Sequence, residues 1–336
     1  MPQKPVIAFV TGGYSSESVI SYKSAVTIEK NIDTGKYDYY KIDITPKGWF
    51  YELKDGRKGE VNKENFSLDL DQKKIVFDAV LIGIHGTPGE DGKLQGYFDM
   101  LGLPYTSCDA ATSALTFNKR YTVAVAAFSG IPVARSLHLF REHPLPDSLI
   151  LSQLTLPVFV KPNNGGSSIG MSKVTNQNEL SGALEKAYKE DEQVLVEEFI
   201  SGREFTVGVF RSRREIIVLP ITEVITKKDF FDYEAKYSGL SEEITPAKLE
   251  EIVAMKIRET AQQVYEVFNC RGVVRIDFIY DEFKSLPYML EINTVPGQTE
   301  ASIVPQQVKA MGWKLPDFYS ALIEDALSRK KTQIGV

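Results

Sequence analysis

Short apolar runs, each followed by a glycine-rich turn and an amphipathic stretch, recur through the first third of the chain. The run at 6–10 is continuously apolar and predicts a buried strand. It ends at Gly12-Gly13-Tyr14-Ser15-Ser16-Glu17, a turn into a helix with Ser15 or Ser16 as the expected cap. Further strands are predicted at 39–44 and 79–84, the second leading through His85-Gly86-Thr87-Pro88-Gly89-Glu90-Asp91-Gly92 into a helix at 94–101. Repeated strand, glycine loop and helix predict an α/β fold with a parallel sheet and ligands at the carboxyl ends of its strands.

A second region opens near Asn118 with a helix at 119–128 and a strand at 157–161. The loop Asn163-Asn164-Gly165-Gly166-Ser167-Ser168-Ile169-Gly170 follows, then a helix near 179–189. Strands at 194–200 and 204–210 are expected to complete a small antiparallel sheet. The third region begins with a strand at 215–225 and a polar, aromatic segment at 227–245. Thr245-Pro246 reads as the cap and first position of a long helix. Its apolar face, Leu249, Ile252, Val253, Ile257, Ala261, Val264 and Phe268, is read as core. Apolar, β-branched runs at 273–280 and 288–292 flank a polar turn and predict a hairpin, and 328–336 reads as a frayed end. The domains are therefore placed at 1–115, 116–212 and 213–336, the whole α/β with α+β character in places.

The length of 336 residues suits two or three domains, and the apolar and charged fractions, 43% and 25%, are those of an ordinary globular protein. A net charge of −6 argues against general nucleic-acid binding. Only Cys108 and Cys270 occur, distant in sequence and without a CxxC, which fits a reducing cytosol and offers neither a disulfide framework nor a zinc site. No secretory signal is read at the N-terminus, and no apolar run approaches the roughly 20 residues that span a bilayer. A cytoplasmic protein without a membrane partner is the expectation.

The chemistry concentrates near the end. On the predicted hairpin Asp277, Glu291 and Asn293 can share a face, because side chains on one face recur every second residue. Two carboxylates and an amide oxygen suit a hard cation such as Mg²⁺, above all one also held by nucleotide phosphates. Arg275 shares that face and suits a carboxylate or a developing oxyanion. Scattered surface charges are the bland alternative. The hairpin continues into Asn293-Thr294-Val295-Pro296-Gly297, turn chemistry that can present backbone N–H groups beside a metal. The loop at 165–170 offers N–H groups and hydroxyls able to close over phosphates, with a flexible hairpin as its alternative. It is not a P-loop, and Gly92-Lys93-Leu94 also breaks that spacing. Lys161, at a strand end before the loop, can aim its ammonium at phosphate oxygens, and Lys119 is a second candidate. Of Glu197 and Glu198, on opposite faces of a strand, one can accept hydrogen bonds from an adenine amino group or ribose hydroxyls; an ordinary ion pair is the competing reading.

In this order the pieces resemble the ATP-grasp superfamily and, within it, the D-alanine–D-alanine ligases. The resemblance spans the chain through Gly12-Gly13 with Glu17, His85-Gly86 with Gly89-Glu90-Asp91-Gly92, Lys161-Pro162 with Gly166-Ser167-Ser168-Ile169-Gly170, and Glu204-Phe205-Thr206. Asp232-Tyr233-Glu234-Ala235-Lys236-Tyr237, Arg275-Ile276-Asp277 and Glu291-Ile292-Asn293-Thr294 with Pro296-Gly297 complete it. It implies a three-domain ATP-grasp architecture with an N-terminal Rossmann-like parallel-sheet domain and ATP held between the second and third domains. It implies two D-alanines joined through an acyl phosphate, for peptidoglycan. Asp277, Glu291 and Asn293 match metal positions for Mg²⁺, two ions in all, with Mn²⁺ as a substitute. Lys119, Lys161, Ser168, Glu197, Ile200, Glu204 and Lys236 match positions around the nucleotide. Glu17, Ser167 and Tyr237 match a hydrogen-bonded set near the first D-alanine, and His85 a residue beside it. Arg275 and the Gly297 backbone match oxyanion-stabilising positions, and Ser302 a contact to the second substrate's carboxylate. The segment at 227–245 is expected to act as a lid, Tyr237 goes with D-alanine as second substrate, and a homodimer is implied. One departure is Glu300, where many relatives carry His. A ligase making D-alanyl-D-lactate, or a catalytically silent nucleotide-binding protein, are the competing readings.

Overall fold

A computed structural model describes residues 3–53, 55–166, 169–226 and 241–333. Ser167, Ser168, Lys236, Tyr237 and residues 227–240 of the expected lid lie outside the described residues. The first sheet contains Val6–Gly12 (β1), Asp38–Thr45 (β2), Gly48–Glu52 (β3), Lys58–Glu60 (β4) and, beyond the two-stranded pair Leu68–Leu70 (β5) and Lys73–Ile75 (β6), Ala79–Ile82 (β7). Its order is β4-β3-β2-β1-β7, with β1 parallel to both β2 and β7. The expected parallel sheet is therefore present, but β3 and β4 extend it antiparallel. β4 is three polar-flanked residues, and β3, aromatic at Trp49, Phe50 and Tyr51, is too short to show a period-two pattern in sequence. Ile7, Ala8, Phe9 and Val10 are all fully buried, because helix Ser18–Asn31 (α1) covers one face of a central parallel strand and other apolar side chains cover the opposite one.

Helices Lys93–Met100 (α2), Ala110–Phe117 (α3) and Lys119–Phe128 (α4) lead into the second sheet. This has Ser136–Phe140 (β8), Val158–Pro162 (β9), Ser172–Val174 (β10) and Gln193–Glu198 (β11) in the order β10-β9-β11-β8, all antiparallel. Helices Asp147–Gln153 (α5) and Leu180–Tyr188 (α6) supply its core through Ile150, Leu180, Leu184 and Ala187.

The third sheet is the largest. Its strands are Arg203–Ser212 (β12), Glu215–Val218 (β13), Thr222–Thr226 (β14), Ser241–Ile244 (β15), Val273–Asp281 (β16) and Leu286–Asn293 (β17), in the order β15-β14-β12-β16-β17 with β13 on β12. Helices Glu251–Val267 (α7), Ile303–Ala310 (α8) and Leu315–Gln333 (α9) pack around it.

Several expectations are corrected. The strand expected at 204–210 belongs to the third sheet, paired with β16 from Arg203 to Phe210, so the chain passes from one sheet to the other across 199–202 and not at 212. Burial explains it: Phe205, Val207 and Val209 pack with Val274, Ile276 and Phe278. The strand expected at 215–225 is two strands, broken at Leu219-Pro220, where Leu219 N–H turns to Gly208 O and Pro220 has no N–H to continue a ladder. The long helix starts at Glu251, not at Pro246. The segment before it is spent on tertiary bonds, Ala247 N–H to Ile221 O and the Thr222 and Thr245 hydroxyls to each other. On that helix Ile257, Ala261, Val264 and Phe268 are core, whereas Ile252 is exposed. Neither Ser15 nor Ser16 caps α1: Glu17 holds the cap position, and the Ser15 hydroxyl accepts Glu17 N–H. The end is not frayed at 328, since α9 runs to Gln333, with Arg329 bonded to Tyr105 O and Asp325. Cys108 and Cys270, distant in sequence, are both buried and form no disulfide, and Cys108 Sγ bonds the Arg271 backbone. No helix among the described residues is long and apolar enough to cross a membrane.

Gln307, fully buried on α8, fixes that helix to β12: its Oε1 accepts Gly208 N–H at 2.9 Å, and its Nε2 donates to Thr206 O at 2.9 Å and to Thr222 Oγ1 at 3.0 Å. Gln307→Leu keeps the volume and orphans these groups. It is expected to lower the unfolding free energy by about 2–3 kcal/mol in chemical denaturation.

Candidate active site

The three sheets meet at one cleft of about 860 Å³. Every candidate residue that is described lines it: Glu17, His85, Lys119, Lys161, Glu197, Ile200, Glu204, Arg275, Asp277, Glu291, Asn293, Gly297 and Ser302. They arrive from all three sheets and the loops at their ends, so tertiary folding collects what the sequence scatters.

The expected hairpin is present. Arg275 lies opposite Asn293 and Asp277 opposite Glu291, and directly opposed residues share a face. The register then shifts: Phe278 pairs with Met289, leaving Leu290 as an extra residue. Through this bulge both Leu290 and Glu291 face the cleft, while Ile276, Phe278, Met289 and Ile292 stay in the core. Asp277 is fixed by a fork from Arg275, Nε to Oδ1 at 2.8 Å and Nη2 to Oδ2 at 2.7 Å, and by the Thr206 hydroxyl from β12. The Asn293 amide donates to Asp277 at 3.2 Å and to Glu291 at 3.4 Å. Burial opposes the charge on Arg275, but Asp277, with Glu291 and Glu90 behind it, raises its pKa overall, so the guanidinium stays charged. Thr206 was quoted in a motif without a role; its hydroxyl on Asp277 only becomes visible once β12 is placed beside β16.

Lys161 and Glu197 form a buried ion pair across β9 and β11. The carboxylate expected to meet adenine or ribose thus holds the lysine expected to meet phosphate. Glu198 is engaged by Thr155 N–H at 2.8 Å. Lys119 opens α4 and donates to Gly165 O at 2.7 Å, while Asn163 accepts Arg120 N–H through its side chain at 2.8 Å. The glycine loop is in this way hung from the start of α4.

Glu17 lies between two glycines. A Cβ on Gly86, whose φ is +66°, would come 2.5 Å from one Glu17 oxygen, and a Cβ on Gly166 would come 2.8 Å from the other. Gly297 likewise leaves room for the Ser302 hydroxyl, 2.9 Å from where its Cβ would stand. That hydroxyl is bonded to Thr299 Oγ1 at 2.7 Å and accepts Thr299 N–H at 3.1 Å, so Ser302 holds the N-cap position of α8 without a side-chain capping bond. Glu300 is exposed and outside the cleft lining.

His85 Nε2 is 3.0 Å from Ser24 Oγ, and burial pushes its pKa down to about 4, against a weaker pull from Val295, so the ring is neutral. Glu90, quoted in a motif but given no role, proves to be part of the site. Its Oε2 accepts Gly86 N–H at 2.7 Å and its Oε1 accepts Val295 N–H at 3.3 Å. Burial, then the neighbouring Glu17 charge, push its pKa up to about 8 despite both donors. The motif Gly89-Glu90-Asp91-Gly92 contains it, but its partner Val295 lies some two hundred residues away.

Two antiparallel sheets facing each other over a cleft, one offering lysines and a glycine loop and the other a carboxylate hairpin, beside a parallel-sheet unit, form an ATP-grasp fold. The family model for the D-ala D-ala ligase N-terminus matches residues 6–108, and that for the D-ala D-ala ligase C-terminus residues 125–324. A D-alanine–D-alanine ligase of Flavobacterium johnsoniae is 45% identical over 96% of this chain and 99% of its own. One of Parabacteroides distasonis is 42% identical over 98% and 100%. Among solved structures, D-alanyl-alanine synthetase A of Vibrio cholerae superposes with a TM-score of 0.86 at 29% identity, covering 98% of this chain and all of that one. A D-Ala:D-Ser ligase of Enterococcus faecalis does so at 0.85 and 31%, covering 96% and 99%. A Bacillus anthracis D-alanine–D-alanine ligase complexed with ATP gives 0.78 at 26%, covering 98% and 99%. The chain belongs to the D-alanine–D-alanine ligase family, and it is a ligase.

The two perturbed groups act on stability in opposite directions. The folded pKa of His85 lies below its ordinary 6.5, so between about 4 and 6.5 the unfolded chain binds the extra proton and stability rises with pH. The folded pKa of Glu90 lies above its ordinary 4.5, so between 4.5 and about 8 the folded chain holds the extra proton and stability falls as pH rises. Only the Glu90 contribution remains between 6.5 and 8. With screening by the open cleft, urea titrations at these two pH values are expected to differ by on the order of 1 kcal/mol. Glu90→Gln removes the part of that difference due to Glu90.

Proposed function

We propose that this chain joins two D-alanines into D-alanyl-D-alanine at the expense of ATP, supplying the terminal dipeptide of peptidoglycan. The observation that carries this reading is the single cleft: in a chain of this family, the Lys119 and Lys161 side and the Arg275, Asp277, Glu291 and Asn293 side face one another across it. Free carboxylates are poor electrophiles, so the first D-alanine is activated. Its carboxylate oxygen attacks the γ-phosphorus of ATP, the bond to the β,γ-bridging oxygen breaks, and ADP leaves. The amine of the second D-alanine then attacks the acyl carbon, loses a proton to solvent, and phosphate departs with the bonding pair of the acyl–oxygen bond.

The residues divide this work by position. Lys119 and Lys161 balance phosphate charge, and Glu197, Ile200 and Glu204 receive the nucleotide's base and sugar. Glu17 in its glycine notch takes the ammonium of the first D-alanine, with His85 beside it. Arg275 and the Gly297 N–H face the tetrahedral oxyanion, where one such donor is typically worth about 3 kcal/mol. Ser302, at the N-terminal end of α8, receives the second carboxylate, a placement that the helix dipole favours. The roles of Ser168 and Lys236 around ATP, and of Ser167 and Tyr237 with Glu17, rest on the family resemblance, as does the lid that keeps water from the acyl phosphate.

The donor set fits Mg²⁺. No three His, Cys, Asp or Glu side chains converge among the described residues, so the amide of Asn293 has to complete the set with Asp277 and Glu291. Asp277 Oδ1 accepts from Arg275 and the Thr206 hydroxyl and Oδ2 from Arg275 and the Asn293 amide, so a bound cation would replace one of these donors. When bound there, two Mg²⁺ ions, or Mn²⁺ in their place, would neutralise charge on the phosphoryl oxygens. The three domains are the parallel-sheet unit and the two antiparallel sheets with their helices. We place the enzyme in the cytoplasm as a homodimer. Support for the dimer comes from the outer face of α1, where Val19, Tyr22 and Val26 stand exposed at 56%, 42% and 51%.

Purified protein with ATP and Mg²⁺ is expected to release phosphate with D-alanine and not with L-alanine, giving a product of alanyl-alanine mass. D-serine and D-lactate as second substrates check the selectivity. Asp277→Ala is expected to reduce turnover at least 100-fold; turnover near the wild-type rate would overturn the metal assignment.

A further inference from the structure

The Gly297 loop is held in place by the first domain, not by its own sheet. It follows β17 directly, yet two of the backbone N–H groups that flank Gly297 are engaged by side chains from the first domain. Val295 N–H donates to Glu90 Oε1 at 3.3 Å, and Gln298 N–H donates to Ser24 Oγ at 3.1 Å. Ser24 is in turn 3.0 Å from His85 Nε2, and Gly86 N–H donates to the other Glu90 oxygen at 2.7 Å. His85 and Glu90 thus belong to one short loop, and Ser24 to the helix that packs beneath it. Gly297 itself lines the cleft between these two fixed points.

We infer that Glu90 is a positioning residue for the ligation, fixing Val295 so that the Gly297 N–H is aimed before substrate arrives. The inference rests on the reading of Gly297 as an oxyanion donor. A donor preset in this way costs no reorganisation when the charge develops, whereas a loop free to turn its N–H toward water loses that advantage. Glu90 suits the task because one carboxyl bridges two chain segments about two hundred residues apart, with Gly86 N–H on one oxygen and Val295 N–H on the other. It need not touch the substrate. Its effect is on the geometry of the peptide group two residues along, and therefore on the chemical step more than on nucleotide binding.

The test compares Glu90→Gln and Glu90→Ala with the wild-type full chain, in steady-state kinetics with D-alanine, ATP and Mg²⁺ and in ATP binding by calorimetry. Glutamine has one carbonyl oxygen and can replace only one of the two acceptor contacts; alanine replaces neither. The expected result is a graded fall in kcat, about tenfold for Glu90→Gln and 100-fold or more for Glu90→Ala, with ATP affinity within about twofold of wild type. Should Glu90→Ala fail to fold, the Glu90→Gln split between kcat and ATP affinity decides alone. An unchanged kcat, or a loss confined to ATP affinity, overturns the inference. A wild-type protein without D-alanine-dependent turnover overturns the proposed function and this role with it, and is distinguishable because it needs no variant.

Discussion

The site depends on the register of one hairpin. With Arg275 opposite Asn293 and Asp277 opposite Glu291, four polar groups share a face, and the bulge at Leu290 lets that face follow the curve of the cleft without pulling core residues outward. A shift by one residue would turn all four into the core and Ile276 and Ile292 into the cleft. The apolar side chains on the reverse face therefore enforce the chemistry. Ile276, Phe278, Met289 and Ile292 pack against Phe205, Val207 and the helix Glu251–Val267, and only one register buries them.

Several charges around the cleft are paired. Arg275 is held by Asp277, Lys161 by Glu197, and Arg203 by Glu223 through two bonds of 2.8 Å. Such pairs keep cations in a partly dry cleft and fix their direction. Two groups of the cleft, His85 and Glu90, are neutralised by burial. Both sit where the first domain meets the Gly297 loop.

Much of this was legible in the sequence. The parallel core of the first domain, the helix after Asn118, the glycine loop and the acidic hairpin follow from apolar runs, turn residues and period-two alternation. Local rules failed where tertiary bonds took over local groups. Thr245 and Pro246 look like a helix start, but the Thr hydroxyl is bonded to Thr222 and the next N–H pairs with Ile221 O. Ser15 looks like a cap and instead accepts Glu17 N–H within the turn. The strand Arg203–Ser212 continues naturally from the segment before it, but its apolar face matches the third sheet and not the second.

Residue types and their spacing determined, by themselves, which side chains are candidates for the chemistry: the carboxylates and amide of the hairpin, the lysines and the glycine loop. What only the tertiary structure decided is who holds them. Thr206 on Asp277, Glu197 on Lys161, and Glu90 on Val295 each join elements far apart in the chain. Periodicity reports which face of a strand is buried, because burial acts residue by residue. It says nothing about which distant strand arrives opposite, since that follows from the packing of whole sheets against one another.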